Sequence, residues 1–193
     1  MHEHTVDNVF LDILFATIDV ELCDEFVPFI RPNQYVYYNS ESPVAVKAAA
    51  LSMESADFID RVEAVYNYVI ENVSYDFEMA EAVEFGYTPN LNSVMESGSG
   101  ICFDMAALTT AMLRSQGIPS KLVFGNYNDP NLEYTYHAWV KVFSEEDGKI
   151  GEHIIINGGT WNILDPTLAV RLCLNELAVN TSDGTIYEAM YYY

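Results

Sequence analysis

Positive charge is scarce in this sequence. Eight Lys and Arg stand against 29 Asp and Glu, a formal net charge of −21. A nucleic-acid surface has to neutralise phosphates, so the composition argues against nucleic acid as a partner. It argues against an anionic membrane surface for the same reason. The acidity predicts solubility, self-repulsion and a preference for cationic or neutral partners, although a solvated acidic surface accounts for it without any charge-reading role. Cysteine is sparse too. Cys23, Cys102 and Cys173 are odd in number and widely spaced, which excludes a zinc knot or a disulfide framework. At most one pair can bridge. Cys23 with Cys173 is the pair that leaves Cys102 free, but isolated buried thiols are the commoner arrangement.

Long apolar runs are also missing, and no stretch reaches the length that spans a bilayer. The opening "MHEHTVDNVFLDILFATIDVEL" lacks a basic start, and Asp7, Asp12 and Asp19 interrupt its apolar residues, so it does not read as a signal peptide. A complete chain is therefore expected in the cytoplasm; one trimmed of a signal segment is expected to be secreted or at the cell surface. His2 and His4 form a weak potential metal pair, for which an exposed terminus is the simpler reading.

What remains is half hydrophobic over 193 residues, enough for one globular domain with a substantial core. Val6, Phe10, Ile13 and Leu14 suggest a helical face in the first 30 residues, and "NQYVYY" suggests a short strand or extended arm. Helices are predicted over 42–53, with Pro43 near its first position, and from about 58 to Asn72, capped by Ser55 or Asp57. The segment from Tyr75 to Gly100 reads as a loop with one helical turn around Met79–Val83, and irregular segments of that length are often functional. A third helix is expected over 102–116, stopped by Gly117 and Pro119. Strands follow at 120–127 and 136–143, with "EHIII" (152–156) and "TWNIL" (160–164) forming a hairpin through "NGG". Helices followed by strands predict an α+β domain. The tail "EAMYYY" has no function legible from the sequence.

The stretch "GSGICFDMAALTTAMLRSQGIP" (98–119) places Cys102 behind a glycine-rich turn, at the first turn of a helix. Unpaired N–H groups and the positive end of the helix dipole there favour a thiolate and a developing oxyanion. A nucleophilic thiol needs a base, and the base needs an orienting partner. His137, at the start of one strand, and Asp165, at the end of another, suit those roles. Gly100 and its small neighbours would let a substrate backbone approach. Trp139 shares a strand face with His137 and would keep water from it. Taken one at a time, each residue has an ordinary explanation: a core thiol, a satisfied histidine, a strand end followed by a turn. Asp104 suits the first turn of the cysteine helix better than a catalytic role, and Arg114 is expected to pair with an acid. Tyr75 suits either a cleft wall or a core aromatic. So do Tyr35, Tyr37, Tyr38, Tyr134 and Tyr136, which read more simply as interior or interface aromatics.

Three blocks, "GSGICFDMAALTTAMLRSQGIPSKLVFG", "HAWVKV" and "TWNILDPT", resemble the signature blocks of the transglutaminase-like superfamily. Gly100, Cys102, Asp104, Arg114, Gly117, Ile118 and Pro119 match the first block, His137 and Trp139 the second, and Trp161, Asp165, Pro166 and Thr167 the third. The resemblance covers about residues 45–168. It implies a papain-like α+β core with the cysteine on a helix packed against an antiparallel sheet. It also implies acyl transfer or hydrolysis at a peptide or carboxamide bond through a thioester, on a peptide or protein substrate. Cys102 would be the nucleophile, His137 the acid/base and Asp165 the orienting acid, with Tyr75, Gly100, Trp139 and Trp161 binding substrate or lining the cleft. Neither metal nor organic cofactor is implied, and no acidic calcium loop is visible. Residues 1–44 would be an extension packing on a catalytic domain of 45–193. The rival expectation is a catalytically silent binding or scaffold module of the same fold, recognising peptides or cell-wall material.

Overall fold

The computed structural model describes residues 2–4, 10–12, 23–55, 57–128, 135–171 and 186–193. Near the N-terminus, β1 (His2–His4) and β2 (Phe10–Asp12) pair antiparallel, His4 opposite Phe10. Phe10 is therefore in a strand, not on the expected helical face; Val6, Ile13 and Leu14 lie outside the described residues. "NQYVYY" forms bends without strand pairing, and its Val36 is fully buried in the core.

The helices start where a short polar side chain can take a free N–H. Ser42 accepts from Ala45 N at the head of α1 (Pro43–Met53), and Asp57 accepts from Asp60 N at the head of α2 (Phe58–Asn72). The same device corrects the loop expected between Tyr75 and Gly100. Asp76 caps α3 (Phe77–Ala82), and Asn90 caps α4 (Leu91–Ser97). The left-handed Gly98, φ 62°, closes α4. Two-residue strands β3 (Ser74–Tyr75) and β4 (Ser99–Gly100) then run parallel, setting Tyr75 beside Gly100.

α5 (Cys102–Ser115) is the central element, with every residue from Asp104 to Arg114 buried. Mostly small and unbranched side chains let neighbours approach on all sides. Thr109 and Thr110 satisfy their hydroxyls on the carbonyls of Met105 and Ala106, each at 2.8 Å. Arg114, buried near the end of α5, has no Asp or Glu side chain as a partner among the described residues. Its guanidinium donates to the carbonyls of Ser120 and Arg31, both at 2.9 Å, and of Tyr193 at 2.5 Å. Burial drives its pKa down to about 10, with Tyr38 opposing. The planar fork thereby ties the helix to three distant chain segments.

One face of α5 packs on the main sheet, whose order is β10 (Tyr187–Tyr192), β5 (Ser120–Tyr127), β6 (Thr135–Ser144), β9 (Thr160–Leu164), all antiparallel. Helices α1, α2, α4 and the short α6 (Pro166–Arg171) pack against α5 as well. The expected hairpin through "NGG" is not formed. β8 (Ile154–Ile156) pairs instead with β7 (Gly148–Ile150), across a turn where Gly151 has φ 55°. β9 takes the edge of β6. Asn162 folds the 157–159 link back on itself, its amide bonded to both the N–H and the carbonyl of Asn157.

Gly125 sits opposite His137 in the β5–β6 register. A Cβ there would lie 2.0 Å from the Glu188 carbonyl oxygen and 2.8 Å from the Trp139 ring. Gly125→Ala is expected to push β10 off the sheet and cost about 1–3 kcal/mol by overcrowding. Thermal unfolding against wild type checks this; an unchanged Tm contradicts it.

Candidate functional site

Cys102, His137 and Asp165 come from three elements that meet at one end of the sheet. The β6–β9 register pairs Val140 with Leu164. Asp165 directly follows the end of β9, so it falls diagonal to His137, within side-chain reach. His137 Nε2 lies 2.7 Å from Asp165 Oδ2. Asp165 is fully buried and His137 is 7% exposed. The half-buried Cys102, in the first turn of α5, lines the same cleft as this ring and acts on its charge. Burial opposes charge on His137. The Asp165 carboxylate, its hydrogen bond and the Cys102 sulfur outweigh that opposition, and the pKa is pushed up to about 10.

Asp165 has more partners than a triad requires. Its Oδ1 accepts from Leu168 N at 3.0 Å, so it also caps α6, with Pro166 in the first helical position. Its Oδ2 accepts from the Tyr187 hydroxyl at 3.0 Å, and its backbone carbonyl from the Tyr66 hydroxyl at 3.3 Å. Sequence reasoning missed Tyr187. It lies in the tyrosine-rich tail, 22 residues past Asp165, and only the pairing of β10 with β5 carries it there. Its ring packs on Tyr127 and Trp139 at 5.2 and 5.0 Å.

Trp139 is fully buried and stacked beside His137, ring centroids 6.2 Å apart. It backs the histidine from behind and does not reach the cleft surface. Gly100 is likewise not a substrate-facing gap. A Cβ there would meet Asp104 Cβ at 2.7 Å, so the missing side chain makes room for Asp104. Asp104 Oδ2 accepts from Ile101 N at 2.9 Å, and Oδ1 from the Tyr87 hydroxyl at 2.6 Å. The carboxylate thus steadies the turn that presents Cys102. Burial raises its pKa against those two hydrogen bonds. Trp161, expected near the cleft, packs elsewhere, against Phe26, Phe29 and Phe143 and under the Lys121 ammonium at 3.7 Å.

Tyr75 does line the cleft, and burial followed by the neighbouring Cys102 raises its pKa while Arg171 lowers it. The cleft has a volume of about 470 Å³ and exposes Cys102 and His137 among aromatic side chains. Tyr35 and Tyr136 belong to it, as do Tyr87, Phe103, Phe124, Tyr191 and Tyr193. Tyr37 and Tyr38 do not line it, and Tyr134 lies outside the described residues. So does Cys173, which leaves the bridge to the exposed Cys23 outside them too. Among the described residues no group of three or more His, Cys, Asp or Glu is placed to hold a metal. No described helix is long and apolar enough to cross a membrane.

Comparison with known proteins agrees with this architecture. Residues 45–166 match the profile of the Transglutaminase-like superfamily. A candidate cysteine protease from Cytophaga hutchinsonii has a similar structure, with TM-score 0.57 and 18% identity, over 90% of this chain and 55% of that one. The UPF0252 protein MJ1282 of Methanocaldococcus jannaschii is 29% identical over 106 residues, covering 50% of this chain and 30% of the relative. The chain thus spans about a third of that curated relative and about half of the solved structure. Its α+β core, with α5 against an antiparallel sheet, is of the transglutaminase-like, papain-like kind, and the chain belongs to the Transglutaminase-like superfamily.

Proposed function

We propose that the protein is a cysteine-dependent hydrolase or acyltransferase acting on peptide or carboxamide bonds, with hydrolysis as its main outcome. The observation that carries this is the convergence of the three side chains: His137 Nε2 lies 2.7 Å from the buried Asp165 carboxylate, and His137 and Cys102 line the same cleft. Cys102 Sγ attacks the carbonyl carbon, and the backbone N–H at the head of α5 faces the developing oxyanion. As the C–N bond breaks, the His137 imidazolium gives its proton to the departing amine. Water then attacks the thioester and passes a proton back to His137. The S–C bond breaks, the acid leaves and the thiolate–imidazolium pair is restored. Asp165 keeps the ring oriented and its charge favoured throughout, and Tyr187 and the Leu168 N–H hold Asp165. In this reading residues 45–193 carry the chemistry, and 1–44 pack on them as an extension.

The test is mass-spectrometric profiling of peptide libraries with the intact protein beside a Cys102→Ala control. Wild type is expected to yield cleaved peptides and a transient acyl adduct on Cys102, both absent from the control. Added methylamine diverts part of the product to the amide if an amine competes with water. Identical, unprocessed libraries from both proteins contradict the proposal and favour the silent binding module.

A further inference from the structure

Apart from the His137 ring itself, the cleft around Cys102 carries no positive side chain, and the sequence leaves no Lys or Arg to supply one. All eight Lys and Arg lie among the described residues, and none lines the cleft. The segments outside the description contain acids but no Lys or Arg. Among the described residues the lining contains one carboxylate side chain, that of the exposed Glu84. The same lining holds exposed rings: Tyr136, stacked on Phe124, is 61% exposed, and Tyr191 is 51% exposed.

A tyrosine face attracts a cation within about 6 Å, and a guanidinium also stacks on it flat. The molecule already uses this contact. Lys47, Lys121, Lys141 and Arg171 each sit over aromatic rings, Arg171 over Tyr75 at 5.1 Å. An apolar side chain would gain from the rings alone. A cationic one gains from the rings, from Glu84 and from the field of a −21 chain that steers it inward. An acidic segment meets opposition from all three.

Resting on the hydrolase reading above, we infer that this cleft selects a peptide segment bearing lysine or arginine beside the bond presented to Cys102. Glu84 and the exposed rings of Tyr136 and Tyr191 recognise the charge.

The experiment has two arms. In the first, quenched fluorescent peptides that differ at one flanking position, Arg, Lys, Leu, Phe or Glu, are compared by kcat/KM. Arg and Lys are expected to exceed Leu and Phe by about tenfold, with Glu lowest. That preference is expected to shrink between 50 and 500 mM NaCl. Glu84→Gln reduces it about threefold, whereas Glu71→Gln, an exposed carboxylate on α2 outside the cleft lining, removes one charge without changing it. In the second arm the same peptides are titrated onto Cys102→Ala, and binding is read by fluorescence anisotropy. This arm needs no turnover, so an inactive protein that still prefers cationic peptides overturns the hydrolase reading and leaves the selectivity standing. Equal binding of all five peptides, or a preference for Leu and Phe that salt does not alter, overturns the inference.

Discussion

Asp165→Asn is expected to lower turnover by about 1,000- to 10,000-fold and to move the alkaline limit of activity sharply downward. In the wild type the imidazolium of His137 is opposed by burial but held by Asp165 and Cys102, so it survives to about pH 10. An amide keeps the shape of the carboxylate and can still accept from Leu168 N, but it brings no charge. Burial then dominates, and His137 loses its proton at lower pH. Activity that persists to about pH 10 in wild type is expected to fail well below that in the variant. Stability follows the same sign. The folded pKa of His137 lies above the unfolded value of 6.5, so the pair's contribution is complete below pH 6.5 and is lost as pH rises towards 10. Asp165→Asn removes that slope from unfolding curves. Tyr187→Phe leaves the carboxylate and removes one donor to it. The expected result is a two- to tenfold loss, on the order of one hydrogen bond, confined to kcat. Equal pH profiles for wild type and Asp165→Asn contradict the role given to the aspartate.

His137→Gln is expected to be the most damaging change, with turnover down by about 10,000-fold or more. Glutamine fills much of the same space beside Trp139 and Tyr127 but neither takes nor gives a proton near neutrality. Both halves of the reaction then lack their acid or base. Near-UV circular dichroism, dominated here by buried rings, is expected to stay close to wild type and so separates lost chemistry from lost fold. Retained turnover with a native spectrum contradicts the assignment.

The parts of the molecule legible in the sequence are those set by local rules. α2 follows from helical spacing and its cap, α1 from Pro43 at its first position, α5 from its stripe and the Gly117 stop, and β6 from its alternation. The blocks holding Cys102, His137 and Asp165 were legible as well, because each couples a residue type to an element end. What escaped depends on distant partners. α4 was hidden because its cap, Asn90, looks like any loop asparagine. The choice of β7 over β9 as the neighbour of β8 is a tertiary pairing that a run of three isoleucines does not encode. β10 looked like an aromatic tail because its partner, β5, lies about sixty residues away. Tyr187 and its bond to Asp165 were hidden with it. Trp161 misled for the opposite reason. It stands four residues before Asp165, but a five-residue strand carries it to the far end of β9, among Phe26, Phe29 and Phe143. Gly100 was correctly singled out for its lack of a side chain, but Asp104 and not a substrate occupies the space.

The account rests on a thiol at the head of α5 made reactive by His137, and iodoacetamide modification measured site by site tests that most directly. At pH 6 an ordinary thiol is less than about 1% thiolate. Cys102 in wild type is expected to react about 100-fold faster than the exposed Cys23, and to lose that lead in His137→Gln. Cys102 and Cys23 reacting at the same slow rate, unaffected by the histidine substitution, would contradict the account.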